Sequence, residues 1–280
     1  MICETLHLKD SFPVLGEEGR DPQLDIYLPR DVMEARLGRR RRAGLLIIPG
    51  GGYRNCSPRE AEPIAMNFLP EGLDVFVLQY STAPHRYPVQ LQETAAAMEL
   101  IRQHADEWNV DIDRMAIMGF SAGGHLAAHY VNRYDDPVVR AVIPESRGVR
   151  ACVLAYPVIS LNDGQEASFR NLLGHEELTQ EDGKLVNCDA MVTPRTPATF
   201  LWATAEDQGV RILHSLDYAA ALHRSGVPLE LHIYPHGCHG LATVDWETNA
   251  PLDAGTMIAH EWIAEARRWL REVLAPQEQN

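Results

Sequence analysis

Short apolar runs alternate with longer amphipathic stretches along most of this chain, and that rhythm restricts its fold more than any other feature. The runs fall at residues 24–28, 45–48, 75–79, 115–118, 151–156, 199–203 and 230–234. Their lengths suit strands buried on both faces, as in parallel sheets. Helical patterns separate most of them. Residues 60–68 carry acids in the first turn, and 89–109 place Leu91, Ala95, Met98 and Ile101 on one stripe. Residues 122–133 follow a glycine-rich turn, 214–225 end at Gly226, and 259–274 put Trp262, Ala266 and Trp269 or Leu270 on one face. Strands alternating with helices predict an α/β fold, a parallel sheet covered on both sides. One doubly wound domain absorbs all 280 residues. Residues 160–196 break the rhythm. They are polar, contain Asn162-Asp163-Gly164 and Pro194, and are too many for a structureless loop. They predict a small, partly helical insertion, a lid beside a site.

Charge and composition exclude several partners. The net charge of −14 argues against nucleic acid and anionic membranes. No apolar run approaches the roughly twenty residues that a spanning helix needs. The first residues lack the basic-then-apolar layout of a secretory signal. The five cysteines, Cys3, Cys56, Cys152, Cys188 and Cys238, are odd in number, widely spaced and without a C-x-x-C pair. They predict free thiols in a reducing, cytoplasmic setting, with Cys238 a small buried hydrophobe. The run Arg39-Arg40-Arg41-Arg42, with Arg36 before it, reads as a solvated loop entering the strand at 45–48.

Chemistry is concentrated at residues 115–124, MAIMGFSAGG. An apolar strand runs into Gly119-Phe120-Ser121-Ala122-Gly123, and a helical pattern follows. G-x-S-x-G in that context predicts a sharp turn that lifts the Ser121 hydroxyl above the sheet. Side chains at 119 and 123 would collide with the turn, hence two glycines. Gly124 lets the new helix pack closely. The Ala122 amide points to where an oxyanion would form.

A second glycine-rich turn closes residues 45–53, LLIIPGGGY. Acyl transfer needs backbone amides aimed at developing negative charge, and glycine permits the backbone angles and close approach. Such donors each lower a barrier by on the order of 3 kcal/mol. Gly51 and Gly52 are the candidates, with Ala122. A phosphate cradle is excluded, since neither G-K-[ST] nor G-x-G-x-x-G is present.

PGGGY followed by GFSAGGHLA resembles the α/β-hydrolase superfamily, in its hormone-sensitive-lipase-like and acetyl (carbohydrate) esterase branch. The resemblance runs from about Leu24 to Leu274. The usual loop there is HGGG, and here Pro49 stands for the histidine, as in carbohydrate-esterase-like members. The resemblance implies about eight mostly parallel strands flanked by helices, and a Ser-Asp-His triad in that chain order.

A serine needs a histidine to accept its proton and an acid to orient that histidine. The run at 199–203 empties into Glu206 and Asp207. In related enzymes the acid shortly precedes a Val-Pro step; Asp207 precedes Val210-Arg211 with two residues between, and with arginine for proline. Glu206 is the competing acid. The run at 230–234 leads to His236-Gly237-Cys238-His239-Gly240, which matches the G-x-H-G of related enzymes. His239 is the expected base and His236 the alternative. His232, His236 and His239 have metal-like spacing, but a strand end and a proline separate them, so no metal and no cofactor is expected. Tyr53, Asn55 and His85 lie on loops that could border the pocket, and His125 packs within its helix.

These features predict a serine esterase: Ser121 attacks, His239 moves the proton, Asp207 orients it, and Gly51, Gly52 and Ala122 hold the oxyanion. The expected partner is a small-molecule ester with a short acyl group, such as an acetylated sugar; a homodimer is compatible with the sequence. A serine peptidase of the same fold is the rival enzyme, though relatives of that kind carry a large extra domain for which 280 residues leave no room. A non-catalytic binding module is the rival of another class, and the intact Ser121, Asp207 and His239 weigh against it.

Overall fold

The computed structural model describes residues 1–29 and 41–276. Each apolar run lies in a strand of a single sheet, apart from Tyr156, which falls just past its strand. The strands are β1 (Ile2–His7), β2 (Gln23–Leu28), β3 (Arg42–Ile48), β4 (Asp74–Gln79), β5 (Val110–Phe120), β6 (Ala151–Ala155), β7 (Ala198–Thr204) and β8 (Leu229–Tyr234). Their order across the sheet is β1-β2-β4-β3-β5-β6-β7-β8. β2 runs antiparallel to both of its neighbours, and every other pairing is parallel. β1 left no apolar run to find, because this edge strand is exposed or half-buried throughout and so needs no hydrophobic face.

Helices α1 (Glu62–Phe68), α2 (Val89–Gln103), α3 (Ser121–Arg133), α4 (Glu166–Leu173), α5 (Gln180–Val186), α6 (Leu213–Arg224) and α7 (Glu261–Val273) cover the sheet. Alternation along β3 explains the two layers. Leu46 and Ile48 join a cluster with Leu91, Leu126 and Tyr218, while Leu45 and Ile47 join one with Phe68, Trp202 and Trp262. Successive strand residues face opposite sides, so a strand buried on both faces must be apolar throughout.

Two helix boundaries differ from the sequence reading. The expected helix over 89–109 breaks at His104, whose ring stacks on Trp108 at 4.6 Å; a separate turn, Ala105–Trp108, follows. No glycine or proline announces that break. The helix expected from residue 60 starts at Glu62, because Pro58–Glu60 forms a tight 3-10 turn. Residues 160–196 are partly helical as expected, containing α4, α5 and the short turns Leu161–Asp163 and Cys188–Met191.

All five cysteines are unpaired, but Cys238 is exposed rather than buried. Gly237, at φ 134°, turns the chain so that His239 faces inward and its neighbour outward. Arg41 pairs with Asp106 and Arg42 opens β3, while Arg36, Arg39 and Arg40 lie outside the described residues. Among the described residues no helix is long and apolar enough to cross a membrane.

Strand register places the functional loops. Ile48 pairs with Gly119, Phe120 with Ala155, Ala155 with Trp202, and Thr204 with Tyr234. Five parallel strands therefore end level, and the loops that leave them meet at one edge. Ligand crevices of open α/β sheets form at this carboxyl edge.

Candidate active site

The turn after β5 is strained and crowded. Ser121 has φ +52°, a left-handed value that costs a non-glycine residue on the order of 1–3 kcal/mol. A Cβ on Gly119 would lie 2.3 Å from the Gly123 carbonyl oxygen, and one on Gly123 would lie 2.2 Å from that of Ile48. One on Gly124 would strike the Pro157 ring at 2.7 Å. All three glycines are thus required by close approach. The turn presents Ser121 at the amino end of α3, where the helix dipole favours negative charge.

Ser121, His239 and Asp207 converge. Ser121 Oγ lies 2.7 Å from His239 Nε2, and His239 Nδ1 lies 2.7 Å from Asp207 Oδ2. The other oxygen, Asp207 Oδ1, accepts the amides of Gly209 and Val210 at 2.8 and 2.9 Å. The buried carboxylate is therefore fully partnered and fixed in direction. Its acceptor role puts the imidazole proton on Nδ1, leaving Nε2 to accept from the serine. Thr204 Oγ1 donates to the Gly237 carbonyl at 2.8 Å and ties the histidine loop to the end of β7. Arg211, which stands where related enzymes have proline, instead donates to the Asp163 carbonyl and anchors the insertion.

The alternative acid and base find each other elsewhere. Glu206 and His236 form an exposed pair at 3.0 Å. His232 pairs with Glu230 and stacks on Phe200. The three histidines of metal-like spacing thus have three separate environments.

The loop after β3 has an unusual hydrogen-bond balance. Each carbonyl from Pro49 to Tyr53 is taken: by Tyr80 Oη, the Ser57 amide, the Arg54 and Asn55 amides, Asn171 Nδ2 and the Ala83 amide in turn. The Gly50 amide donates to Glu60 Oε2 at 2.8 Å. Among the described residues no protein acceptor takes the amides of Gly51 or Gly52. Gly51 has φ +122°, and a Cβ there would lie 2.0 Å from the Asn55 carbonyl oxygen. The first-turn amides of α3, including that of Ala122, have no intrahelical acceptor either. Donors without acceptors beside a serine hydroxyl can receive an anionic oxygen.

The crevice over these groups is about 410 Å³ and is lined by Gly51, Gly52, Ser121 and His239 together with Arg54, Asn55, Arg59, Glu60, Gln165, Ser168 and Asn171. Asn55 lines it. Tyr53 is not: it is fully buried, and its hydroxyl lies 2.6 Å from His125 Nδ1, behind the loop. His85 does not line the crevice; its carbonyl receives Gln90 and its amide donates to Thr82. Asn171 on α4 binds the Gly52 carbonyl, so the insertion is a wall fastened to the loop. Glu60, Arg59 and Asn171 were not singled out from the sequence. Glu60 looked like an ordinary first-turn acid, yet it is 3% exposed, and burial raises its carboxyl above the usual range.

Residues 24–222 match the family model BD-FAE. The chain belongs to the BD-FAE family. This BD-FAE chain is 34% identical over 255 residues to endo-1,4-beta-xylanase B of Butyrivibrio fibrisolvens, covering 87% of the chain and 38% of the relative. It is 26% identical over 239 residues to the acetylxylan esterase of Xylanibacter ruminicola, covering 82% and 46%. It therefore spans less than half the length of these two relatives. Among solved structures it resembles the acetyl ester-xyloside bifunctional hydrolase of Caldicellulosiruptor lactoaceticus, with a TM-score of 0.81, 32% identity and 96% of each chain covered. These relationships, with the sheet topology, give the BD-FAE chain an α/β-hydrolase fold and make it similar to known esterases.

Proposed function

We propose that this protein hydrolyses carboxylic esters with short acyl groups through Ser121, His239 and Asp207. The observation that carries the reading is the Ser121–His239–Asp207 chain of two 2.7 Å contacts, set beside the acceptor-free amides of Gly51 and Gly52. Ser121 Oγ attacks the ester carbonyl as His239 Nε2 takes its proton. Asp207 stabilises the imidazolium and keeps its orientation. The carbonyl oxygen, now anionic, receives the amides of Gly51, Gly52 and Ala122. His239 then protonates the leaving alcohol. Water, deprotonated by the same nitrogen, attacks the acyl-enzyme and releases the acid.

The crevice supports a small acyl group and a polar alcohol. Ala167 is the only apolar side chain larger than glycine among its lining residues, so a long alkyl chain would find little apolar surface to displace water from. Asn55, Gln165, Ser168 and Asn171 offer amides and a hydroxyl suited to a hydroxylated leaving group. The acetylxylan esterase and acetyl ester-xyloside hydrolase relatives agree with an acetylated sugar.

Ser121→Ala should lower kcat for p-nitrophenyl acetate by on the order of 10⁴-fold or more; unchanged turnover would overturn the assignment. In a series of p-nitrophenyl esters, kcat/KM should be highest for two to four carbons, at roughly 10-fold per few methylenes lost from complementarity. A maximum at ten carbons or beyond would refute the short-acyl reading.

A further inference from the structure

Glu60 occupies a position that neither the serine, the histidine nor the aspartate accounts for. It is buried beneath the crevice, and each of its carboxylate oxygens receives one donor. Oε2 takes the Gly50 amide at 2.8 Å, and Oε1 takes the Tyr156 hydroxyl at 2.8 Å. Tyr156 Oη in turn accepts the Ala242 amide at 2.9 Å. Ala242 lies three residues beyond His239 and is itself left-handed, at φ +49°. The Tyr156 ring packs edge-on against the His239 imidazole, with centroids 5.1 Å apart. One carboxylate thus connects the loop carrying Gly51 and Gly52 to the loop carrying His239, through a ring that touches the base.

The surrounding turn reinforces the tie. The Ser57 amide donates to the Gly50 carbonyl at 2.9 Å, so both polar groups of Gly50 are held from residues 57–60. Arg59 Nη1 reaches the Thr248 carbonyl at 2.9 Å, further along the histidine loop. A Cβ on Gly50 would meet Glu60 Oε2 at 2.8 Å and Ser121 Cβ at 2.9 Å, which shows how closely the carboxylate, the loop and the nucleophile pack.

We propose that Glu60 is a positioning residue for ester hydrolysis, whose carboxylate sets the oxyanion loop and the histidine loop at their working separation. This rests on the ester-hydrolase reading above. An ionised carboxylate is the acceptor the two donors require. Glutamine keeps the size but offers one oxygen and one NH₂, so it must turn a donor towards either the Gly50 amide or the Tyr156 hydroxyl. Facing Gly50, the NH₂ repels the loop amide; facing Tyr156, it leaves the hydroxyl proton without its acceptor; either way the tie weakens and the amides beyond Gly50 are held less firmly towards the transition state. An interaction made only in the transition state shows in kcat and not in KM.

The test uses p-nitrophenyl acetate and the full chain. Glu60→Gln should lower kcat by on the order of 10²-fold, the cost of misplacing reacting groups by about 1 Å, with KM within about twofold and the fold retained by circular dichroism. Tyr156→Phe removes one arm and should lower kcat by about 10-fold. The double variant should be no worse than Glu60→Gln alone, because the two act as one connection. Unchanged kcat in Tyr156→Phe, or strictly additive losses in the double variant, would overturn the proposal. So would a Glu60→Gln enzyme that melts earlier but turns over normally. If Glu60→Gln does not fold, Tyr156→Phe decides alone. Failure of the ester-hydrolase reading is distinguishable, since the unmodified protein would then show no turnover at all.

Discussion

Two histidines sit in chains of matching geometry. His239 lies between a serine hydroxyl and a carboxylate, with 2.7 Å on each side. His125 lies between the Tyr53 hydroxyl at 2.6 Å and the Val186 carbonyl at 2.7 Å. Hydroxyl, imidazole and acceptor follow in the same order, and both chains border the Gly50–Gly52 loop. Their partners and surroundings differ. The His239 side chain is 27% exposed and faces the Asp207 carboxylate. His125 is fully buried against a neutral carbonyl, and burial pushes it down to about 4. Burial also holds the Tyr53 hydroxyl well above its usual range, so it keeps its proton. Hydrogen-bond geometry alone therefore does not make a base. On the proposed reading, a charge partner and access to solvent distinguish His239, and the second chain is a strut.

Breaking the charged arm should have the largest effect. Asp207→Asn preserves shape but removes the charge and presents the wrong group to His239 Nδ1, so kcat for p-nitrophenyl acetate should fall by on the order of 10⁴-fold, with the melting temperature little changed. Breaking the strut should move stability instead. His125→Ala empties a packed site and orphans two groups, and should cost about 2–4 kcal/mol in denaturant unfolding at pH 7.

That second loss should depend on pH. Native His125 stays neutral down to about 4, whereas the unfolded chain takes up a proton near 6.5. The unfolded state binds more protons across this window, so the contribution of His125 is present above 6.5 and is lost as pH falls towards 4. At pH 5 the destabilisation by His125→Ala should be smaller than at pH 7 by about 2 kcal/mol. Comparing the two proteins isolates this term from Glu93 and Asp74, which burial raises to about 7 and which act in the opposite direction. The smallest effect belongs to Glu206→Gln. Its exposed pairing with His236 should be worth about 0–1 kcal/mol, and kcat should stay within about twofold; a loss comparable to that of Asp207→Asn would reassign the acid.

The sequence was most readable where one strong local constraint acts. Gly119, Gly123 and Gly124 mark their turn because three close approaches leave no room for a side chain, and residues 45–48 and 199–203 read as strands because both faces are buried. It was least readable where the constraint comes from distant chain. Tyr53 follows three glycines and looks like a loop residue at the mouth, but His125, 72 positions later, draws it into the core. Glu60 looks like a solvated helix acid until Tyr156, 96 positions away, covers it. The helix break at His104 and the edge strand β1 carry no local signal, since stacking on Trp108 and pairing with β2 decide them.

The level strand ends also set a timetable. Ser121 is made 118 residues before His239, and the loop at Gly50 earlier still. A ribosome that has released the elbow and the Gly50–Gly52 loop has made a chain that holds the proposed nucleophile but not its proposed base. β8 must dock on β7 before the histidine loop can reach the serine. Until then the edge of β7 is open to pairing with other chains, and the nascent protein is chemically silent. On the proposed ester-hydrolase reading, turnover would report that the last strand has closed the sheet, a clock for the completion of folding.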